Sequence, residues 1–145
     1  MKRDVQIVIL SIQNAGGDPE AILTKTIGRY CFEEGCHKVT YRESDGYGTV
    51  TDNLLCLSQK NMSLKKSGSI AGEFLFDPDR NTDVDYRTSF GKIVFQVETE
   101  FYTMSKNENN LNVQLKYKLH ADSQLFSENT LTIQIHEQEK VRVMK

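Results

Sequence analysis

Tyr30, Tyr41, Glu43 and Lys66 are the residues of this chain with the strongest claim to a binding role. If Val39 and Tyr41 face the interior of a β-structure, period-two alternation brings His37 and Glu43 to the same side, and Met62 and Leu64 bring Lys66. Tyr30 and Phe32 carry Thr24 and Thr26 with them in the same way. Two phenols, a carboxylate and an ammonium set into an otherwise apolar cavity would fix the polar head of a small amphipathic ligand, which is the usual make-up of a small-molecule site. The same residues admit a structural alternative: Glu43 and Lys66 sit near a rim, meeting water or each other, and the tyrosines simply pack.

Other reactive side chains converge less well. Cys31, Cys36 and His37 offer two soft ligands and an imidazole, but Cys-x4-Cys-His is not a zinc spacing and no second ligand pair completes four-coordination. The turn between them decides their relation. A four-residue loop at 32–35 would place Cys31 opposite Cys36, whereas a two-residue loop at Glu34-Gly35 would pair Cys36 with Glu33. His37, His120 and His136 are scattered, and Glu33-Glu34 and Glu98/Glu100 read as solvated acids. Nucleophile elbows, His-Glu-x-x-His, phosphate-cradling glycine loops and dinucleotide fingerprints do not occur in the sequence. The expectation is a non-enzymatic protein with no metal and no cofactor.

The elements that must position these residues are strands. Leu111 to Leu119 alternates apolar and polar side chains without error over the whole segment. Ile93, Phe95, Val97 and Phe101 share one face of 91–104, and Leu131, Ile133 and Ile135 one face of 129–136. Turn signals such as Asn14–Pro19, Glu33–Gly35, Ser44–Gly48, Ser67–Ser69, Asp77–Asn81 and Ala121–Ser123 divide the chain into about ten such segments. Connections this short cannot make parallel crossovers, so sequential neighbours must pair antiparallel. Segments 91–104 and 109–122 are long, and long strands joined by short turns coil until the sheet closes and its edges disappear. The expected fold is all-β: a single antiparallel up-and-down barrel of 8–10 strands. Asp18-Pro19, an N-cap followed by Pro, offers one alternative, a helical turn ahead of the second strand.

With 145 residues the chain suits one domain, 1–145, large enough to build a core unaided. A net charge of −2 made of interspersed residues gives no electrostatic footprint for nucleic acid or an anionic membrane. The apolar run Val5–Ile12 is too short and interrupted for a secretory leader and reads as the first strand. Three cysteines, an odd number, fit a cytoplasmic protein better than a disulfide scaffold. That first strand is apolar on both faces, Val5, Ile7 and Ile9 on one and Val8, Leu10 and Ile12 on the other. One face needs a cover besides the barrel lumen. The candidates are a homodimer through Val5–Ile12 or the sheet exterior, and the tail Val141–Met144 folding back.

The opening Val-x-Ile strand, Thr26-x-Gly28-x-Tyr30, Tyr41-x-Glu43-Ser44, Lys66-x-Gly68 and Thr88-x-x-Gly91-Lys92-Ile93 together resemble the YwiB-like family of small bacterial proteins. The likeness runs from about Val5 to Ile135 and rests on the order and spacing of these pieces. It implies a calycin-like β-barrel, the architecture of lipocalins and fatty-acid-binding proteins, in a family of unestablished function. Lys66 stands where an arginine is usual and Ser89 where a proline is usual, so recognition needing a guanidinium there does not carry over. A shared barrel does not carry a shared ligand.

Overall fold

The computed structural model describes residues 3–44 and 46–137 of the chain. Ten strands account for most of them: β1 (Arg3–Asn14), β2 (Glu20–Glu33), β3 (Cys36–Ser44), β4 (Val50–Leu57), β5 (Met62–Gly68), β6 (Gly72–Phe76), β7 (Thr82–Thr88), β8 (Gly91–Lys106), β9 (Asn110–Ala121) and β10 (Gln124–Glu137). The helical turn after Asp18 does not form: β2 begins at Glu20, and the β-branched Thr24, Thr26 and Ile27 continue the strand. Among the described residues there is no helix, and so none long and apolar enough to cross a membrane.

All ten strands belong to one antiparallel sheet, in the order β6-β5-β4-β3-β2-β1-β10-β9-β8-β7. Its curvature brings β6 round to β7, where Ala71 and Arg87 exchange backbone hydrogen bonds of 2.9 and 2.8 Å. The Thr82 hydroxyl adds a 2.6 Å bond to the Leu75 carbonyl. The result is the expected meander barrel, nearly closed. Its weak seam lies in mid-chain, while β1 and β10 pair from Val5–Glu137 to Asn14–Glu128.

Local chemistry sets the registers. Glu34 and Gly35 both adopt positive φ, 53° and 74°, giving a two-residue turn that pairs Glu33 with Cys36. Asp122 and Ser123 do the same between β9 and β10. A bulge between Thr99 and Phe101 reverses the parity of β8. Phe101, expected on the face of Phe95 and Val97, is therefore turned out and 47% exposed, and Tyr102 and Met104 point inward in its place. A similar slip between Leu125 and Ser127 lets the Phe126 ring reach Phe95, 5.1 Å between centroids.

The barrel interior is solid through its middle and at one end. Ile7, Val39, Leu57, Met62, Val97 and Ile133 have no accessible surface, and Phe76, Leu111 and Ile135 almost none. Each such side chain contributes about 1.5–3 kcal/mol by leaving water. This closed end carries the β2–β3, β4–β5, β6–β7 and β8–β9 turns. At the opposite, open end the inward-tending Ile22, Ile93 and Phe126 remain about half exposed. The barrel thus has a plugged base and an open mouth.

The wall also parts on one side. Only Arg29–Glu33 of β2 pairs with Cys36–Thr40 of β3; from Gly28 back to Glu20 the β3-facing edge of β2 has no neighbouring strand among the described residues. Gly28 marks the fork. A Cβ there would collide with the Thr40 carbonyl oxygen and lie 2.6 Å from Ile7 Cδ1, so only glycine lets the two strands touch before they diverge.

Candidate functional site

Three of the four proposed site residues meet at the open end. Alternation along β3 turns Tyr41 and Glu43 inward, and alternation along β5 does so for Lys66. Lys66 Nζ donates to Glu43 Oε1 at 2.9 Å and to Asn53 Oδ1 at 2.9 Å, while Asn53 Nδ2 donates to the same Glu43 oxygen at 2.8 Å. The registers make this closure unavoidable, because Asn53 is directly opposite both Tyr41 on β3 and Lys66 on β5. The Lys66 side chain is 17% exposed and that of Glu43 44%, so the pair sits at a rim with its ammonium tucked beneath its carboxylate. The rim contact given as the structural alternative is therefore what these two residues make.

Beneath the rim three phenols pack in or against the core. Tyr41 and Tyr86 both have their pKa raised, first by burial and then by Glu43. Tyr117 is pushed up to about 12 by burial and then by Tyr86. All three hydroxyls stay protonated at neutral pH. Phe74 and Phe95 flank Tyr86 edge-on at 5.7 and 5.9 Å, and Phe76 tilts against Tyr117 at 4.6 Å. Asn53, Tyr86 and Tyr117 were not singled out from the sequence. Their signal was there: Asn53 shares the parity of Leu55 and Leu57, and Tyr117 that of Leu115 and Leu119.

Two hollows approach the network. One, of about 400 Å³, opens at the mouth against Glu43, Thr51, Ser69, Thr88 and Phe90. The other, about 700 Å³, is the cleft where β2 and β3 part, reaching Gly28, Tyr41 and Asn53 and flanked outside by Arg29, Arg42 and Asp52. Asn53 in the cleft and Glu43 in the mouth are the hydrogen-bonded pair that divides them.

Tyr30 belongs elsewhere. Its hydroxyl shares a 2.7 Å hydrogen bond with His37 Nδ1 inside the closed end, and the Arg3 guanidinium lies 4.9 Å from its ring centroid. Phe32 covers the same imidazole at 4.7 Å. Burial, followed by the charge of Lys106, lowers the His37 pKa. This group plugs the base and lies away from the Glu43 network.

Cys31 and Cys36 do not oppose each other; Cys31 pairs with Lys38, and both thiols lie on the outer face while His37 points in. Cys36 is pushed up to about 11 by burial and by Cys56 on the neighbouring strand. The other histidines each have one polar partner, His120 with Glu98 at 3.2 Å and His136 with Asn110 at 2.6 Å. Lys116 and Lys118 flank Glu100 at 3.6 and 3.0 Å on the outside, lowering its pKa first through the Lys118 hydrogen bond.

The fold is shared with a known protein. The solved structure of the ywiB protein from Bacillus subtilis superposes with a TM-score of 0.84 at 18% identity, covering 95% of this chain and 94% of that one. The likeness establishes the fold. No curated protein matches the sequence. The model of a domain of unknown function, DUF1934, matches residues 5–133. By that match across almost its whole length, the chain belongs to the DUF1934 family.

Proposed function

We propose that the open end of the barrel is a non-catalytic binding site for a small amphipathic ligand, set at the mouth because the lumen below it is filled. The observation that carries this reading is the Glu43–Asn53–Lys66 network, standing between two hollows and near three phenols that burial keeps protonated. An apolar segment of the ligand would lie against Ile22, Ile93 and Phe126. It gains roughly 25 cal/mol for each Å² it removes from water. Its polar head would bond to the Tyr41, Tyr86 and Tyr117 hydroxyls and exchange for water at Glu43 and Lys66. Tyr30, part of the plug, has no share in this role.

Native mass spectrometry of protein purified from its host, with a thermal-shift series of fatty acids and other amphipathic metabolites, tests the proposal. A ligand present at a hundred times its Kd stabilises the folded state by about 2.7 kcal/mol. The expected result is a retained mass or a concentration-dependent shift. The absence of both across the series would refute the reading.

A second reading, an interaction module working through its outer surface, is favoured by the exposed Leu10, Leu23 and Ile27 on the outside of β1 and β2. The expected contact through Val5–Ile12 narrows accordingly. Val5, Ile7 and Ile9 face the core, and both edges of β1 are taken by β2 and β10, so only Val8, Leu10 and Ile12 remain outside. The other cover considered, Val141–Met144, lies outside the described residues.

A further inference from the structure

The β3-facing edge of β2 holds backbone groups that no strand among the described residues takes up. The two-residue turn at Glu34-Gly35 makes Glu33 and Cys36 the hydrogen-bonded pair that closes the hairpin. Along β2, odd-numbered residues therefore turn their N–H and C=O toward β3, and even-numbered residues toward β1. The ladder with β1 runs from Tyr30 to Glu20 without a register shift, so this alternation persists past the fork at Gly28. Ala21, Leu23, Lys25 and Ile27 consequently offer both backbone groups to the side from which β3 has departed. Their side chains face outward, with Leu23 58% and Ile27 51% exposed. Natural sheets protect such an edge with proline, bulges or several charges. Between Ala21 and Ile27 this edge has a single lysine.

We propose that the edge is taken by the same edge of a second copy, antiparallel about a two-fold axis, so that two barrels share one sheet across β2. With Leu23 opposite Leu23 of the second copy, Ala21 meets Lys25, Ile22 meets Thr24 and Glu20 meets Thr26. No like charges face each other in that register. Within each copy Leu10 is already directly opposite Leu23. The pairing therefore lines up four leucines across the outer surface, two from each copy, covering the Leu10 and Leu23 surface that a lone barrel leaves in water. An unrelated peptide would gain the backbone bonds but not this row, which makes the edge its own complement. A two-fold contact is also the form self-association most often takes. The pairing is independent of any ligand at the mouth.

Sedimentation equilibrium of the full chain along a dilution series, with amide exchange followed in parallel, tests the proposal. The expected mass at the concentrated end is twice 16.6 kDa. The amides of Ala21, Leu23, Lys25 and Ile27 should exchange more slowly as concentration rises, while those of Ile22 and Thr24, bonded to β1, should not respond. Lys25→Pro removes one donor from the open edge and none from the β1 ladder, so the mass should halve with an unchanged circular dichroism spectrum. A 16.6 kDa species at every concentration overturns the proposal. So does concentration-independent exchange at the four odd-numbered amides, a readout that needs no variant. A dimer that survives Lys25→Pro and dissociates on Leu10→Glu would place the contact on the face of β1 and would equally overturn edge pairing.

Discussion

The two ends of this barrel are built by the same strands in the same alternation, yet one is a plug and the other a mouth. At the closed end the inward positions receive Leu57, Met62, Phe76, Leu111 and Ile135, which interlock, and the polar groups of Tyr30 with His37 and of Tyr102 with the Ser58 carbonyl are satisfied internally. At the open end the inward positions receive Glu43, Asn53 and Lys66, which hydrogen-bond to one another at the rim, and the phenols Tyr86 and Tyr117. Period two chooses which face a side chain occupies; size and polarity decide whether that face closes. Burying a charged group with its hydrogen bonds unmet would cost about 1–3 kcal/mol or more, which favours keeping the Glu43–Lys66 pair at the water-facing rim.

The contrast is sharpest in truncation. Leu57→Ala should lose about 2–5 kcal/mol in urea unfolding because it leaves a cavity in a rigid plug, whereas Ile93→Ala at the mouth should stay within about 0.5 kcal/mol. Equal losses at the two positions would erase the distinction between the ends. Gly28→Ala, at the fork that admits the side cleft, should cost about 1–3 kcal/mol by overpacking against Thr40 and Ile7. A neutral outcome in the same assay would mean that β2 and β3 can separate further without penalty.

His37 reports on the plug through pH. Its pKa is held below the ordinary 6.5 by burial and then by Lys106. Above 6.5 the folded and unfolded chains both carry a neutral imidazole and the group contributes nothing. As pH falls below 6.5 the unfolded chain takes up a proton that the folded one resists, so stability declines. The stability advantage of the wild type over His37→Gln should therefore shrink between about pH 7.5 and about pH 5.5. An advantage that grows on acidification would show that the imidazole is charged within the plug. Lys66→Met should have only a small effect on unfolding, about 1 kcal/mol or less, because its carboxylate partner is 44% exposed. It should nonetheless abolish any ligand-induced thermal shift at the mouth. A large loss of stability without loss of binding would reverse the roles assigned to the two ends.

The fold was legible because its signals are local. Unbroken alternation in β9, turn chemistry at Glu34-Gly35 and the parity of Val39, Tyr41 and Glu43 each follow from neighbours within a few residues. Phe101 was misplaced because the bulge at Thr99 inserts a residue that periodicity does not announce. Tyr30 was grouped with Tyr41 because parity gives a side and not a height. Both tyrosines point inward, but the β2–β3 register sends Tyr30 toward His37 and leaves Tyr41 beside the fork. Asn53 was passed over although it lies on the core face of β4, because its importance comes from two cross-strand partners at once. The parting of β2 from β3 depends on tertiary contacts of Gly28 and left no mark in the hydrophobic pattern.

The pairing of β1 with β10 has a kinetic consequence. Eight of the nine strand pairings join neighbours along the chain, so β1–β6 and β7–β10 can each zip from their own turns. The pairing of Val5 with Glu137 must instead close the longest loop in the molecule, and that entropy is spent before any contact across it is gained. The two meanders should therefore form first and dock last along this seam. Ile7→Val and Ile133→Val should then accelerate unfolding and leave the refolding rate nearly unchanged. The centre of the finished sheet would be the last part of it to assemble.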